Sequence, residues 1–228
     1  MSNSKNGKVV VVIPAYNEEK TIKRTIDNVK SIDMIDEIVV VDDGSIDNTS
    51  KVVEDMNITL IRLNKNSGKG YAIRKAIETI KYDYLVLLDG DLGESSNEVE
   101  KLINPVINNE VDVTIAKFGK AKKKGGFGLV KKLAKYGVYF YTGKKIDTTL
   151  SGQRVYKKEV IEGISYIPDR FGIEVAMTVG AFRKGFTVKE VDVLMTHNET
   201  GRNISGFIHR GRQFLDIFKT LIQLSYKR

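Results

Sequence analysis

The segment Lys8–Ile13 is a run of β-branched apolar residues with no polar alternation. A strand of that kind must be covered on both faces, so it belongs in a sheet with helices on each side. The pattern recurs: Glu37–Val41, Ile58–Leu63, Asp83–Leu88 and Asp112–Ala116 read as four further strands. Helical spacing fills the intervals. Asn17 is placed to cap a helix through Val29, and Asp47 one through Met56. Gly68–Ile80 puts Ala72, Ala76 and Ile80 on one stripe, and Ser95 with Glu98 has capping-box spacing before a helix to about Asn108. This order predicts an α/β fold, a Rossmann-like, mostly parallel sheet flanked by helices with right-handed crossovers.

Ligands of such sheets gather where the strands end. Three acidic motifs fall there. Asn17 and Glu18 follow the first strand, Asp42 and Asp43 the second, and Asp89 and Asp91 the fourth. Asp89-Gly90-Asp91 aims two carboxylates into one small volume, and Gly90 allows close approach. Such a pair can ligate a hard divalent cation, which in turn neutralises a diphosphate. Elsewhere Asp-Gly-Asp also makes simple turns. Asp43 or its neighbour can accept from a base or ribose hydroxyl, or the pair can serve only a turn. Ser67-Gly68-Lys69-Gly70 opens a helix, where unpaired N–H groups and Lys69 make an anion site. The chain has no cysteine, so a metal would rest on carboxylates and a histidine, which points to Mg²⁺ or Mn²⁺.

The second half is less regular. Lys117–Gly128 is a Lys- and Gly-rich loop, Leu129–Tyr141 a helix, Ser151–Tyr156 a short extended piece, Gly172–Phe182 a helix and Phe186–Val193 a strand. Phe207, Phe214, Phe218 and Leu221 lie at helical spacing near the end. That stripe packs on the core or a second subunit, or docks on a membrane surface. The formal charge is +8, and Lys117–Lys145 alone holds ten lysines. These serve a solvated surface or an anionic partner. The chain lacks a nucleic-acid motif or stacking platform, so nucleic acid is not an expected partner. A polar N-terminus and no apolar run of roughly 18 residues read as a cytoplasmic protein, at most peripheral at the inner face of a membrane.

Pro14-Ala15-Tyr16-Asn17-Glu18, Val41-Asp42-Asp43-Gly44-Ser45, Asn66-Ser67-Gly68-Lys69-Gly70, Asp89-Gly90-Asp91 and Ser151-Gly152-Gln153-Arg154 occur in this order. Together they resemble family 2 glycosyltransferases of the GT-A fold, over residues 8–200 or so. A sugar nucleotidyltransferase would instead open with a Gly-rich loop and Arg after the first strand. The resemblance implies inverting transfer of a hexose from a UDP- or GDP-sugar with Mg²⁺ or Mn²⁺. It also implies one domain over residues 1–228, with a nucleotide-sugar half, 8–116, and an acceptor-side half, 117–228. Carried over by position, Pro14, Ala15, Tyr16, Glu18, Asp43, Lys69, Asp89 and Gly90 would hold the donor, and Asp91 with Asp89 the metal.

Two subgroups share features of the second half. Asp147 and Ser151-Gly152-Gln153-Arg154-Val155-Tyr156 are similar to the acceptor side of polyprenyl-phosphate glycosyltransferases, although Gly93 stands where those enzymes usually have Gln. That implies Ser151, Gly152, Gln153 and Arg154 as acceptor or phosphate contacts, and a phosphorylated acceptor, polyprenyl phosphate foremost. Phe171-Gly172-Ile173-Glu174 and His197 resemble the helix start and metal-ligating histidine of glucosyl-3-phosphoglycerate synthases. His197 is a ligand or an ordinary polar-loop histidine. Glu174 is a base for a hydroxyl acceptor or a first-turn acid of its own helix, and Asp147 is the other candidate base. Arg202, His209, Arg210 and Arg212 line a phosphate site or a solvated helix face. The Lys117–Gly128 loop is expected to close over the donor phosphates. A homodimer and a non-catalytic sugar-nucleotide-binding protein are the further expectations.

Overall fold

The computed structural model describes residues 7–119, 128–195 and 204–227, with side chains from 211 onward in the last stretch. The first half runs β1 (Val9–Ala15), α1 (Ile22–Lys30), β2 (Glu37–Asp42), α2 (Thr49–Asp55), β3 (Thr59–Arg62), α3 (Lys69–Thr79) and β4 (Tyr84–Leu87). A 3₁₀ segment, Gly93–Val99, leads into α4 (Glu100–Ile107) and β5 (Val113–Phe118). The second half adds α5 (Leu129–Thr142), β6 (Arg154–Lys157), α6 (Lys158–Gly163), α7 (Ile173–Arg183), β7 (Val188–Val193) and α8 (Ile204–Tyr226).

Strands of both halves share one seven-stranded sheet in the order β3-β2-β1-β4-β6-β5-β7. The alternation within β1 explains its composition. Val9, Val11 and Ile13 enter the core on one face with Ile22 and Ile26 of α1 and Leu102 and Ile103 of α4. Val10 and Val12 enter the other with Ala72, Ile73 and Ala76 of α3 and Ala176 and Val179 of α7. An unbroken apolar run is the only pattern that serves both layers.

The expected mostly parallel sheet has one exception. β6 is antiparallel to both β4 and β5, and it separates them. Its register sets Arg154 against Leu87 at the end of β4. A reversed strand brings its beginning to the edge where its neighbours finish. Ser151, Gly152 and Gln153 therefore arrive beside Asp89, from far along the chain.

Three capping expectations are corrected. Asn17 does not cap α1: it takes a left-handed φ of 57°, its Oδ1 accepts from Ile46 N–H at 2.9 Å, and the helix starts at Ile22. Asp47 sits before the α2 cap residue, Asn48, and its Oδ1 accepts from Thr49 N–H at 3.0 Å in a turn. Ser95 donates to the Leu92 carbonyl at 2.7 Å, and Glu98 accepts from Leu194 N–H at 2.9 Å, so no capping box forms. In each case a loop contact claims the side chain first. The α8 stripe also divides. Leu221 is buried, Phe214 and Phe218 stand at the surface, and the Phe207 side chain lies outside the described residues. So do residues 120–127, and with them most of the Lys- and Gly-rich loop expected to close over the donor phosphates; Lys117 and Phe118 end β5. No helix among the described residues is long and apolar enough to cross a membrane.

Candidate active site

The ends of β1, β2 and β4 and the start of α3 meet in one cleft. Pro14 and Ala15 close β1 in register with Val41 and Asp42, and Tyr16 emerges beyond them, exposed. Asp42 turns inward, where its Oδ1 accepts from Ser45 N–H at 2.8 Å. Asp43 is also buried. Its two oxygens accept from Ser67 N–H at 2.7 Å and Gly68 N–H at 2.8 Å. Asp43, the residue expected to hold the nucleotide, thereby clamps the loop that opens α3.

That loop is fixed from its other side too. Gly68 has a φ of 106°, and a Cβ at Gly70 would stand 1.9 Å from the Pro168 carbonyl. Tyr71 N–H donates to the Asp169 carbonyl at 2.9 Å, so this donor of the first turn is not available to an anion. Lys69, the first residue of α3, points into the cleft. Its ammonium meets Asp89 Oδ1 at 2.6 Å and Glu174 Oε1 at 3.4 Å. Burial lowers the affinity of Lys69 for its proton, but the Asp89 and Glu174 carboxylates outweigh burial and hold it above the usual lysine range. Lys69 is therefore a fixed cation.

Asp89 gives Oδ2 to Gln153 Nε2 at 2.5 Å. Ser151 Oγ donates in turn to Gln153 Oε1 at 3.2 Å. Gly152, between them, lies so near that a Cβ would stand 2.3 Å from Lys69 Nζ. Ser151, Gly152 and Gln153, expected at an acceptor phosphate, thus pack against the Lys69–Asp89 ion pair. Arg154, also expected at an acceptor phosphate, is only 1 % exposed. Its guanidinium donates to the carbonyls of Ser151, Glu174 and Thr149 at 2.6, 3.0 and 2.8 Å and to Thr178 Oγ1 at 2.8 Å. Those bonds tie the 149–151 turn to the first turn of α7, which carries Glu174. Arg154 is a buried brace, because β6 carries it into the sheet.

On the opposite wall, Glu18 accepts from Thr21 Oγ1 at 2.7 Å. Burial raises Glu18 most. The Thr21 bond works downward, the Asp91, Asp89 and Asp47 charges work upward, and the net shift is up. The Asp89-Gly90-Asp91 turn itself is held by Thr25, which the sequence reading missed. Thr25 Oγ1 donates to the Gly90 carbonyl and accepts from Gly93 N–H, both at 2.9 Å. A buried hydroxyl among Ile22, Ile26 and Val29 on the inner face of α1 was the available signal.

Asp147 is not brought to this cluster. It is exposed and pairs with Lys135 of α5 at 2.7 Å, a bond that lowers its pKa. His197 and Arg202 lie outside the described residues. Among the described residues no group of three or more His, Asp or Glu forms a cage for a metal on its own. The cleft thus presents one ammonium at a helix start beside the carboxylates of Asp89 and Glu174, with Glu18 near the Asp89-Gly90-Asp91 turn.

The comparisons fit this geometry. The family model described as "Glycosyl transferase family 2" matches residues 10–164. An uncharacterized protein of Methanocaldococcus jannaschii is 29 % identical over 226 residues, 95 % of this chain and 90 % of that protein. A UDP-N-acetylglucosamine–dolichyl-phosphate N-acetylglucosaminyltransferase of Methanococcus voltae is 28 % identical over 183 residues, 69 % of this chain and 72 % of that enzyme. Glucosyl-3-phosphoglycerate synthase from Mycobacterium tuberculosis, solved with Mn²⁺, UDP and glucosyl-3-phosphoglycerate, superposes with a TM-score of 0.80 over 96 % of this chain and 80 % of that one, at 22 % identity. That likeness establishes the GT-A fold. With the family match running from β1 past β6 and enclosing every strand-end motif from Pro14 to Arg154, the chain belongs to glycosyltransferase family 2.

Proposed function

We propose that this glycosyltransferase moves a hexose, with inversion and with a divalent metal, from a UDP- or GDP-sugar to a phosphorylated acceptor, polyprenyl phosphate. The observation that carries the reading is Lys69, a fixed cation at the start of α3 between Asp89, just past the end of β4, and Glu174 in the first turn of α7. Pro14, Ala15, Tyr16 and Glu18 would border the nucleotide, and Lys69 the diphosphate. Asp89 and Gly90 would face the ribose and sugar.

The cleft fits Mg²⁺ or Mn²⁺ because Asp89 and Asp91 flank Gly90 in a turn pinned by Thr25, which sets two hard oxygen donors side by side. Asp91, together with Asp89, would hold the ion, and Lys69 and Gln153 orient the Asp89 carboxylate beside it. One or two carboxylates plus substrate phosphates are an ordinary Mg²⁺ set. When bound, the ion would neutralise charge on the diphosphate. Lys69 would share that task and stabilise the leaving group as the C1–O bond breaks and its electron pair moves to the diphosphate. The acceptor oxygen would attack C1 from the opposite face. An ionised phosphate acceptor needs no base. A hydroxyl acceptor such as that of 3-phosphoglycerate does, and Glu174 stands within reach of the cluster. The relatives support both readings: the Methanococcus voltae enzyme is named for a dolichyl-phosphate acceptor, and the Mycobacterium tuberculosis structure holds glucosyl-3-phosphoglycerate.

The test is thermal stabilisation by UDP- and GDP-sugars with Mn²⁺ or Mg²⁺, followed by transfer of labelled sugar to polyprenyl phosphate or 3-phosphoglycerate. Metal-dependent stabilisation by one donor, lost in Asp91→Ala, with label appearing in the lipid is the expected result. Label only in 3-phosphoglycerate would replace the acceptor, and no response to any donor would overturn the reading.

A further inference from the structure

Away from the cleft, α5 and α8 meet along a seam. A Cβ at Gly137 of α5 would stand 2.4 Å from Leu221 Cδ2 of α8, and the Tyr141 hydroxyl donates to the Leu221 carbonyl at 2.6 Å. At about 100° per residue, Leu129, Leu133, Tyr136 and Phe140 form a stripe on α5 that borders Gly137. Phe214, Phe218 and Ile222 form a second stripe, on α8, that borders Leu221. Tyr141, one turn beyond Gly137, and Leu224, about one turn beyond Leu221, both meet Arg183, at 4.9 Å to the ring centroid and 2.8 Å to the carbonyl, so the two helices run in the same direction and the two stripes fall on the same side of their contact. Tyr136 is 71 % exposed, Phe140 82 % and Phe218 49 %.

The charges around the seam are mainly positive. α5 carries Lys131 and Lys132 with no acidic residue of its own, while its Lys135 is paired with Asp147, and Lys144 and Lys145 follow it. α8 carries Arg212 and Lys219 against the single acid Asp216. We propose that this aromatic and basic seam docks the protein on an anionic membrane face. Phe140, Phe214 and Phe218 supply apolar area for the acyl boundary, and Tyr136, Tyr139 and Tyr226 have the apolar body and polar tip suited to headgroup depth. The lysines and Arg212 are attracted by anionic headgroups. A second copy of the chain is the disfavoured occupant, since a symmetric contact would oppose two surfaces of like charge. The inference lies outside the transfer reaction and holds for either class of acceptor.

The experiment is flotation of the full chain with vesicles of phosphatidylcholine alone and of phosphatidylcholine mixed with phosphatidylglycerol, at low and high salt. The wild type floats with the anionic vesicles, more strongly at low salt. Two double variants, Phe140→Ser with Phe218→Ser and Lys131→Glu with Lys132→Glu, each bind at least about tenfold more weakly while keeping the wild-type melting temperature, because all four side chains are exposed. Absence of wild-type flotation, or equal flotation of wild type and both variants, overturns the proposal. So does a dimer in sedimentation equilibrium that Phe140→Ser with Phe218→Ser dissociates while flotation is absent; that result assigns the seam to a second copy. Flotation does not depend on a sugar donor, so its failure and that of the transferase reading are separable.

Discussion

Gln153 donates to Asp89 at 2.5 Å from the buried first turn ahead of β6, while Lys69 holds the other oxygen of the same carboxylate. The amide fixes the direction in which Asp89 faces the cleft without facing it itself. Gln153→Leu is expected to lower kcat/KM by about 10–100-fold, the equivalent of one lost hydrogen bond to a charged group. The melting temperature should fall by only a few degrees. Steady-state kinetics with the identified donor checks this, and Gln153→Glu, which sets a second carboxylate against Asp89, should be the poorer enzyme of the two.

Gly152 has no room for a methyl group. Gly152→Ala would place a carbon 2.3 Å from the Lys69 ammonium and so displace that cation. Misplacement of a charge-stabilising group by about 1 Å costs on the order of 100-fold in rate. Donor titration should show weakened binding, and circular dichroism an unchanged fold. Wild-type kinetics in this variant would contradict the close approach.

Arg154 separates a structural role from a substrate contact. Arg154→Met leaves the carbonyls of Thr149, Ser151 and Glu174 without their donor. The expected loss is about 3 kcal/mol or more in urea unfolding. An acceptor-binding arginine would instead raise the acceptor KM and leave stability untouched.

Asp112 predicts an acid limit. Burial opposes its ionisation, but bonds from the Thr187 amide and hydroxyl and from Lys157 outweigh burial and lower its pKa. Its folded pKa lies below its unfolded one, so its stabilisation is complete above about pH 4 and is lost as pH falls through the folded value. Asp112→Asn should therefore cost about 1–3 kcal/mol at pH 7, with the gap to wild type closing in acid. Urea unfolding across pH 2–7 (roughly the carboxylate range and above) checks the sign.

Much of the donor half was legible because a strand buried on both faces leaves an uninterrupted β-branched run, as in Val9–Ile13, and an acidic residue directly after it has few other uses. The direction of β6 was not legible. A short extended segment such as Ser151–Tyr156 has the same composition whether it runs up or down the sheet, and only pairing with β4 decides. For the same reason Arg154 read as a ligand contact: its motif gives its type, and burial comes from the strand it joins. Asn17, Asp47 and Ser95 have good capping chemistry, yet neighbouring loops take up their side chains. The helix α6 was missed because Lys158–Gly163 is too short for a period to show. Thr25 looked like an ordinary helix residue until the Gly90 turn was seen against it.

The reversed insertion of β6 has a consequence for how the enzyme comes into being on the ribosome. Gln153 and Asp89 are 64 residues apart in the chain, so a nascent polypeptide that has emerged only through β5 has every donor-side carboxylate but no amide to aim Asp89. Closing so long a loop is slow compared with local helix formation. Full turnover should therefore appear only late, when β6 slots between β4 and β5, and a partly made chain without the amide should turn over far more slowly than the finished one.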